Sequence, residues 1–340
     1  MANGYHGACI DTFCGTRELF KSRYGFDNDP ISRQIYTDLT GVNGTETWED
    51  TKTNFPRFGN IIPSLFVVLL VLTPPCPDFS TGSPNPEGTR GSKGGKELTR
   101  IPEIISAVKP LVVFIEQVAN LVNFLQDLED LLLGITCQQY VVHAAIVSMA
   151  GYGDMENCWR LVIVAIHESL GEFAQDFRIP TGEFSDDVAY SSSSAATPTE
   201  DIPERFHRFM HDYELKPMHE KPSKIRKAAQ TAPGFGFSSH PNACYDMRGI
   251  APKSTTHAAG RHLPLGWKKG DSIAKTYMYT PSDVARHKNL SVTLLEVYEK
   301  AILKTEGYGP KGLSATDLDK GLYKCLGNGF SCKFGCTIYR

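Results

Sequence analysis

The stretch that most constrains this chain is Thr-Pro-Pro-Cys-Pro-Asp-Phe-Ser, residues 73–80, which follows directly on the apolar run 65–72. Eight apolar residues in succession fit a strand buried on both faces. Pro74, Pro75 and Pro77 then fix φ and remove backbone N–H groups, so neither strand nor helix continues through them. Cys76 is therefore presented on a stiff loop at the carboxyl end of a strand, where open α/β sheets hold their chemistry. Taken alone, the same residues also describe a small buried thiol in a proline-bounded turn, because free Cys is among the most buried residue types. Past Ser80, Gly82, Gly88, Gly91, Gly94 and Gly95 alternate with Arg90, Lys93 and Lys96. This predicts a flexible basic segment that closes over a polyanion.

A chain of 340 residues exceeds the size at which one core usually gives way to two domains. Its net charge of −3 conceals an uneven distribution. Residues 221–270 carry nine Lys/Arg against one Asp, a net of +8, which leaves −11 on the other 290. A basic block in an acidic protein fits a polyanionic partner, and it also fits a solvated loop face. No basic-then-apolar leader opens the sequence, and the apolar run 61–72 is too short to span a bilayer and contains Pro63. The nine cysteines are odd in number and lack paired spacing, which fits free thiols inside a cell. Cys325, Cys332 and Cys336 have no CxxC pattern or His partner, so no metal site is expected.

Along the chain, residues 8–13 read as a short strand, followed by Gly15 and a helix start at Thr16-Arg17-Glu18. Strand, glycine turn and helix is the layout of a loop whose amides face a nucleotide-like cofactor. Asp27 and Asp29 follow, either as a ribose-binding acid after a second strand or as an Asx-rich turn before a helix. Residues 41–60 read as loop, 101–108 as a helix ended by Lys109-Pro110, and 111–115 as a buried strand delivering Glu116-Gln117-Val118. An acid at the tip of a buried strand is costly unless it is paired or functional. Residues 121–133 have helical periodicity, 140–149 fit strand or helix, and 161–166 read as a strand. Short apolar strands separated by helices predict an α/β fold with a mostly parallel sheet. A Ser-rich stretch near 171–202 reads as a linker. Thr280-Pro281-Ser282-Asp283 reads as a helix cap, 292–304 as a helix, and 323–330 as turn-like.

In this order, the pieces resemble the cytosine-C5 DNA methyltransferase family. Asp11-Thr12-Phe13-Cys14-Gly15 resembles its cofactor loop, Pro75-Cys76-Pro77 with Phe79-Ser80 its nucleophile motif, and Glu116-Gln117-Val118 its Glu-Asn-Val motif. Residues 152–160 resemble the motif ending in two alternating arginines. Residues 279–290 resemble the late Leu-Thr-Pro-Arg-Glu helix, and Gly327-Asn328 the terminal Gly-Asn-Ser-Val. The resemblance implies a Rossmann-like, S-adenosylmethionine-dependent methyltransferase sheet with a smaller basic target-recognition domain. It places a catalytic domain at 1–172, a linker at 173–202, the recognition region at 203–270, and a return to the catalytic domain at 271–340.

The implied reaction transfers methyl from S-adenosylmethionine to C5 of a cytosine flipped out of double-stranded DNA. Cytosine C5 becomes nucleophilic once a thiolate adds at C6, which is the implied role of Cys76. Glu116 would donate to N3, and Arg160 would hold O2 and the developing charge. Phe13, Gly15, Asp27, Asp29, Pro75 and Asn328 are the implied cofactor contacts; Ser80, Arg90, Lys93, Lys224, Arg226 and Lys227 are the implied nucleic-acid contacts. A monomer in the nucleus of a eukaryote, or in the cytoplasm of a bacterium or of a phage host, is the matching expectation. The chain departs from the family at Arg17 and Glu18, at Gln117 for Asn, at Cys158 for the first arginine, and at Ser282-Asp283 for Arg-Glu. Arg17, Glu18 and Cys158 motivate one alternative, a catalytically silent DNA-binding relative, and the resemblance to a family some of whose members methylate transfer RNA adds a second, an RNA cytosine-5 methyltransferase.

Overall fold

The computed structural model describes residues 25–46, 69–180, 182, 280–305 and 315–328, apart from 82, 84 and 93, together with six short strands between 212 and 276. In those strands, and at 157, 292, 315, 316 and 328, the backbone alone is described. The chain divides into two compact units. One comprises Met1–Val147 with Trp159–Thr181, the other Ser148–Cys158 with Gly182–Arg340.

The first unit begins with helix α1, Pro30–Thr40, which Asp29 caps by accepting the Ser32 N–H. Just before it, Phe26 forms a parallel bridge with Thr45, the remnant of the expected second strand. Strand β1 is Leu69–Leu72, the described end of the apolar run that leads into the cysteine loop. Helix α2, Ile101–Val108, buries Ile101, Ile104, Ile105 and Val108, an i, i+3, i+4, i+7 stripe that matches the helical period. Lys109 ends it with φ 49, and its N–H bonds the Ile105 carbonyl just before Pro110. Strand β2 is Val112–Val118, helix α3 Leu125–Thr136 and strand β3 Tyr140–Ser148. The dipeptide strand β4, Glu156–Asn157, belongs to the other unit, and β5, Trp159–His167, returns to this one, followed by the short helix α4, Glu172–Asp176.

The sheet order is β1-β2-β5-β3. Among the described strands, the expected parallel pairing holds for one pair only. β1 and β2 run parallel, but β2 and β5 are antiparallel. Glu168 N–H bonds the Gln139 carbonyl at one end of the β3–β5 pair and Met149 N–H bonds the Cys158 carbonyl at the other, the pattern of a second antiparallel pair. The physical reason is simple: a strand buried on both faces carries the same apolar run whichever way it points. Val113, Ile115, Leu161, Ile163 and Ala165 pack with Ile101, Ile105, Leu131 and Ile135 into one core, and Cys76 lies half-buried against it.

Tyr140 anchors the far end of this sheet. It is 4% exposed, and its hydroxyl donates to the Pro110 carbonyl at 2.6 Å. Burial pushes its pKa from 10.0 up to about 12. Between those values the unfolded chain releases a proton that the folded chain keeps, so the Tyr140 contribution is full below pH 10 and fades as pH rises towards 12. Tyr140→Phe is expected to lose about 1 kcal/mol at neutral pH. The gap to the parent should narrow in alkali, as read by urea midpoints on either side of that window. A gap that stays constant with pH would refute the account.

In the second unit, β6 (Asp212–Glu214), β7 (Lys227–Gln230), β8 (Ala243–Asp246), β10 (Leu263–Gly266) and β11 (Ile273–Thr276) form a sheet ordered β6-β11-β10-β8-β7, while β9 (Ala251–Pro252) pairs with β4. Three of its five strands come from the basic block 221–270. Helices α5 (Pro281–His287), α6 (Val292–Lys304) and α7 (Ala315–Asn328) complete this unit. A capping box starts α5: Thr280 Oγ1 accepts the Asp283 N–H and Asp283 accepts the Thr280 N–H. Asp283 therefore closes the cap although it stands where the family has Glu. Residues 323–328, expected to be turn-like, are instead the last residues of α7. Lys288 and Glu156 form a buried ion pair at 3.3 Å, and Asn289 donates to the Gly153 carbonyl and to Asp154. Among the described residues, no helix is long and apolar enough to cross a membrane.

Candidate active site

The cysteine loop leaves β1 at Leu72, whose register partner on the parallel strand β2 is Ile115. Both strands therefore point the same way, and the next residues on β2, Glu116 and Gln117, leave from the end where the loop begins. Adjacent strand residues face opposite sides of the sheet, so Glu116 and Gln117 serve different purposes.

Glu116 pairs across the sheet with Val162, and Val118 with Arg160. Glu116 and Arg160 are thus diagonal neighbours on one face, within reach of long side chains. The Arg160 guanidinium forms an ion pair with the Glu116 carboxylate, and the two side chains are 8% and 15% exposed. The arginine also donates to the Trp159 carbonyl at 3.2 Å. A carboxylate acceptor and a guanidinium donor held together at the edge of solvent suit a planar, bidentate polar ligand. Cys158, the residue in place of a first arginine, is buried.

Gln117 faces the other way and is 1% exposed. Its amide nitrogen donates to the Pro74 carbonyl at 3.2 Å, with Pro75 at 3.5 Å, and its oxygen accepts the Val118 N–H at 2.7 Å. A side chain that reads in sequence as a departure thus ties strand β2 to the loop two residues before Cys76. Gln117→Leu is expected to cost about 1–3 kcal/mol, because it strands a buried carbonyl and a buried N–H together. Gln117→Asn, one methylene shorter, should lose the reach to Pro74. An unchanged unfolding midpoint in the leucine variant would sink this assignment.

After Cys76 the chain turns at once, with the Phe79 N–H bonding the Cys76 carbonyl at 3.0 Å. Phe79 is fully buried edge-on to Phe124, and Asn120 donates to the Phe79 carbonyl at 2.8 Å. The glycine segment expected to be flexible is packed where it is described. Gly88, Gly91 and Gly95 are buried, and 3-10 turns span Gly88–Arg90 and Gly95–Arg100. Glycine permits mobility, but it also permits close approach, and these glycines serve approach.

Of the implied cofactor contacts, Phe13 and Gly15 lie outside the described residues, and so does the Asn328 side chain at the end of α7. Pro75 is buried in the cysteine loop. Asp27 is 3% exposed, with its Oδ1 accepting the Asp29 N–H at 2.8 Å. Asp29 is committed to the helix, accepting both the N–H and the hydroxyl of Ser32. Of the nucleic-acid residues, Ser80 is half-buried and Arg90 exposed, Lys93, Lys224 and Arg226 lie outside the described residues, and Lys227 opens β7.

The sheet order and the loops at the strand ends define a Rossmann-like methyltransferase fold, and solved structures agree. An Entamoeba histolytica methyltransferase, EhMeth, superposes with a TM-score of 0.61 at 13% identity, covering 98% of this chain and 93% of its own. The Dnmt2 methyltransferase of S. pombe gives 0.53 at 14% identity, covering 97% and 93%. A putative DNA modification methyltransferase encoded in an E. coli prophage gives 0.51 at 10% identity, covering 94% and 95%. No match was found among the curated proteins by sequence. The sequence model of the C-5 cytosine-specific DNA methylases matches residues 17–308, and the chain belongs to that family.

Proposed function

We propose that the protein is a DNA (cytosine-5)-methyltransferase that uses S-adenosylmethionine and a covalent adduct to Cys76. The observation that carries this reading is the Glu116–Arg160 pair, held at the strand end from which the cysteine loop also leaves. In the proposed reaction the Cys76 thiolate forms a bond to C6 of the base, and the electron pair of the C5–C6 bond moves towards N3 and O2. Glu116 supplies a proton to N3 and Arg160 hydrogen-bonds O2, so the charge that develops meets groups already in place. C5 would then take the methyl group as its bond to the sulfonium sulfur breaks, the N3 proton would return to Glu116, and loss of the C5 proton with departure of the thiolate would restore the aromatic ring.

The cofactor supplies an electrophilic methyl group when bound. The residues present fit it: Asp27 holds a buried carboxylate beside the Phe26 bridge, its Oδ1 accepting the Asp29 N–H, and Asp29 caps α1. Asp27 is therefore the acid assigned to the ribose hydroxyls, with Phe13, Gly15, Pro75 and Asn328 completing the contacts. The basic block, together with Ser80, Arg90 and Lys93, is assigned to the nucleic acid, with 203–270 as the recognition region of a monomeric enzyme.

The test is transfer of a labelled methyl group from S-adenosylmethionine into genomic DNA and total RNA, assayed side by side. Label in DNA as 5-methylcytosine is the expected result. Label in RNA alone would overturn the DNA assignment, and no label from folded protein would overturn the enzyme reading.

A further inference from the structure

The turn that carries Cys76 is fixed from both sides. Upstream, Gln117 holds the Pro74 carbonyl. Downstream, the holding group is Asp78, a residue 2% exposed that no motif distinguishes. Its Oδ2 accepts the Gly95 N–H at 2.8 Å, and its main-chain carbonyl accepts the Gly88 N–H at 2.9 Å. One aspartate thus gathers both ends of the segment 88–95. A Cβ at Gly91 would run into the Asp78 carboxylate, and one at Gly95 into the Gly88 carbonyl. A Cβ at Gly94, whose φ is +110, would strike the Pro75 ring. The segment is therefore knotted around Asp78 and strapped over Pro75 at van der Waals distance. Thr89 pins the same strap elsewhere, donating its N–H and hydroxyl to the Asp127 carboxylate at 2.9 and 2.7 Å.

We propose that Asp78 is a positioning residue for Cys76. By binding the Gly88 and Gly95 amides it locks the glycine strap across Pro75, so the backbone on both sides of the thiol is fixed before substrate arrives. The inference rests on the function proposed above. A sulfur attacking a ring carbon has to sit about 3–3.5 Å from it with its orbital aligned, and a misplacement of about 1 Å can cost on the order of 100-fold in rate. A proline-rich turn alone sets φ at three positions and leaves ψ free. The carboxylate closes that freedom with a charge-assisted bond, which is shorter and stronger than a neutral one. Asp78 acts through the loop and touches no reacting atom.

The experiment compares full-length Asp78→Ala and Asp78→Asn with the parent. Three quantities are read: single-turnover methyl transfer into DNA, S-adenosylmethionine affinity, and iodoacetamide alkylation of Cys76, measured on its peptide by mass spectrometry. Asp78→Ala should slow transfer about tenfold or more with cofactor affinity unchanged, and should alkylate faster. Asp78→Asn keeps an acceptor oxygen for Gly95 and should recover most of the rate, which distinguishes positioning from bulk destabilisation. Transfer at the parental rate in Asp78→Ala, or Asp78→Asn as slow as Asp78→Ala, would overturn the proposal. If Asp78→Ala does not fold, Thr89→Val removes the hydroxyl bond at the strap's other anchor while its N–H bond stays, and should slow transfer by about twofold or more; no change there would overturn it equally. If the parent itself methylates no nucleic acid, the functional reading fails and alkylation alone decides: faster reaction in Asp78→Ala sustains the positioning role, and equal rates end it.

Discussion

Cys76→Ala is expected to transfer no measurable methyl group while binding S-adenosylmethionine as the parent does. The thiolate provides what the ring lacks: without addition at C6, C5 has no enamine character and does not attack a methyl sulfonium. In the proposed mechanism the loop presents this one side chain to the base. Gln117 fixes the backbone on one side of it and the turn to Phe79 on the other. Cys76 is also packed against the core, so a methyl group in its place leaves the fold intact. A cytosine with fluorine at C5 has no proton there to lose, so the adduct should persist on the parent as a mass increase on the Cys76 peptide. Residual turnover in the alanine variant, or an adduct on another residue, would remove Cys76 from the mechanism.

The second large effect concerns Arg160 and Glu116. Arg160→Met leaves the Glu116 carboxylate, 15% exposed, without its guanidinium beside the apolar residues of β2 and β5. Breaking one half of a buried pair costs about 3–5 kcal/mol, and activity should vanish with it. The informative variant is the double one, Arg160→Met with Glu116→Leu. Well-packed apolar replacement of both partners is often neutral for stability, so the unfolding midpoint should return while methyl transfer stays absent. A double variant that regained activity would assign the pair to folding alone. One that stayed as unstable as the single variant would show that the pair is not the source of the loss.

Much of this was legible in the residues. The α2 stripe, ended by Lys109-Pro110, and the Thr280-Pro281 cap follow from local rules that tertiary context did not override. Helix α6, read as 292–304, has those bounds. The cysteine loop was legible because three prolines leave few conformations. Direction in the sheet was not, since β5 is apolar on both faces and its polarity is set by where the chain comes from. Nor was the use of the glycines: lacking a Cβ permits both mobility and contact, and only the position of Asp78 decides for contact. Asp78 itself was legible only as an acid in a proline-bounded turn with five glycines close behind it. Gln117 was legible as a departure from Asn, while its added reach to Pro74 depends on strand spacing that no sequence displays.

The place of β5 bears on how such a chain is made. It is the last of the four strands in sequence, yet it lies between β2 and β3. Among the described strands, β2 has only β1 beside it as the polypeptide emerges, and β3 gains its partner β5 once residue 167 has been synthesised. β5 thus inserts between described strands that are already made, and the β2 and β3 edges that receive it stay open while residues 148–158 are added. A chain stopped before 159 lacks the strand that joins β2 to β3 and is expected to aggregate. Chaperone demand during biosynthesis should peak at that length and fall once β5 is in place.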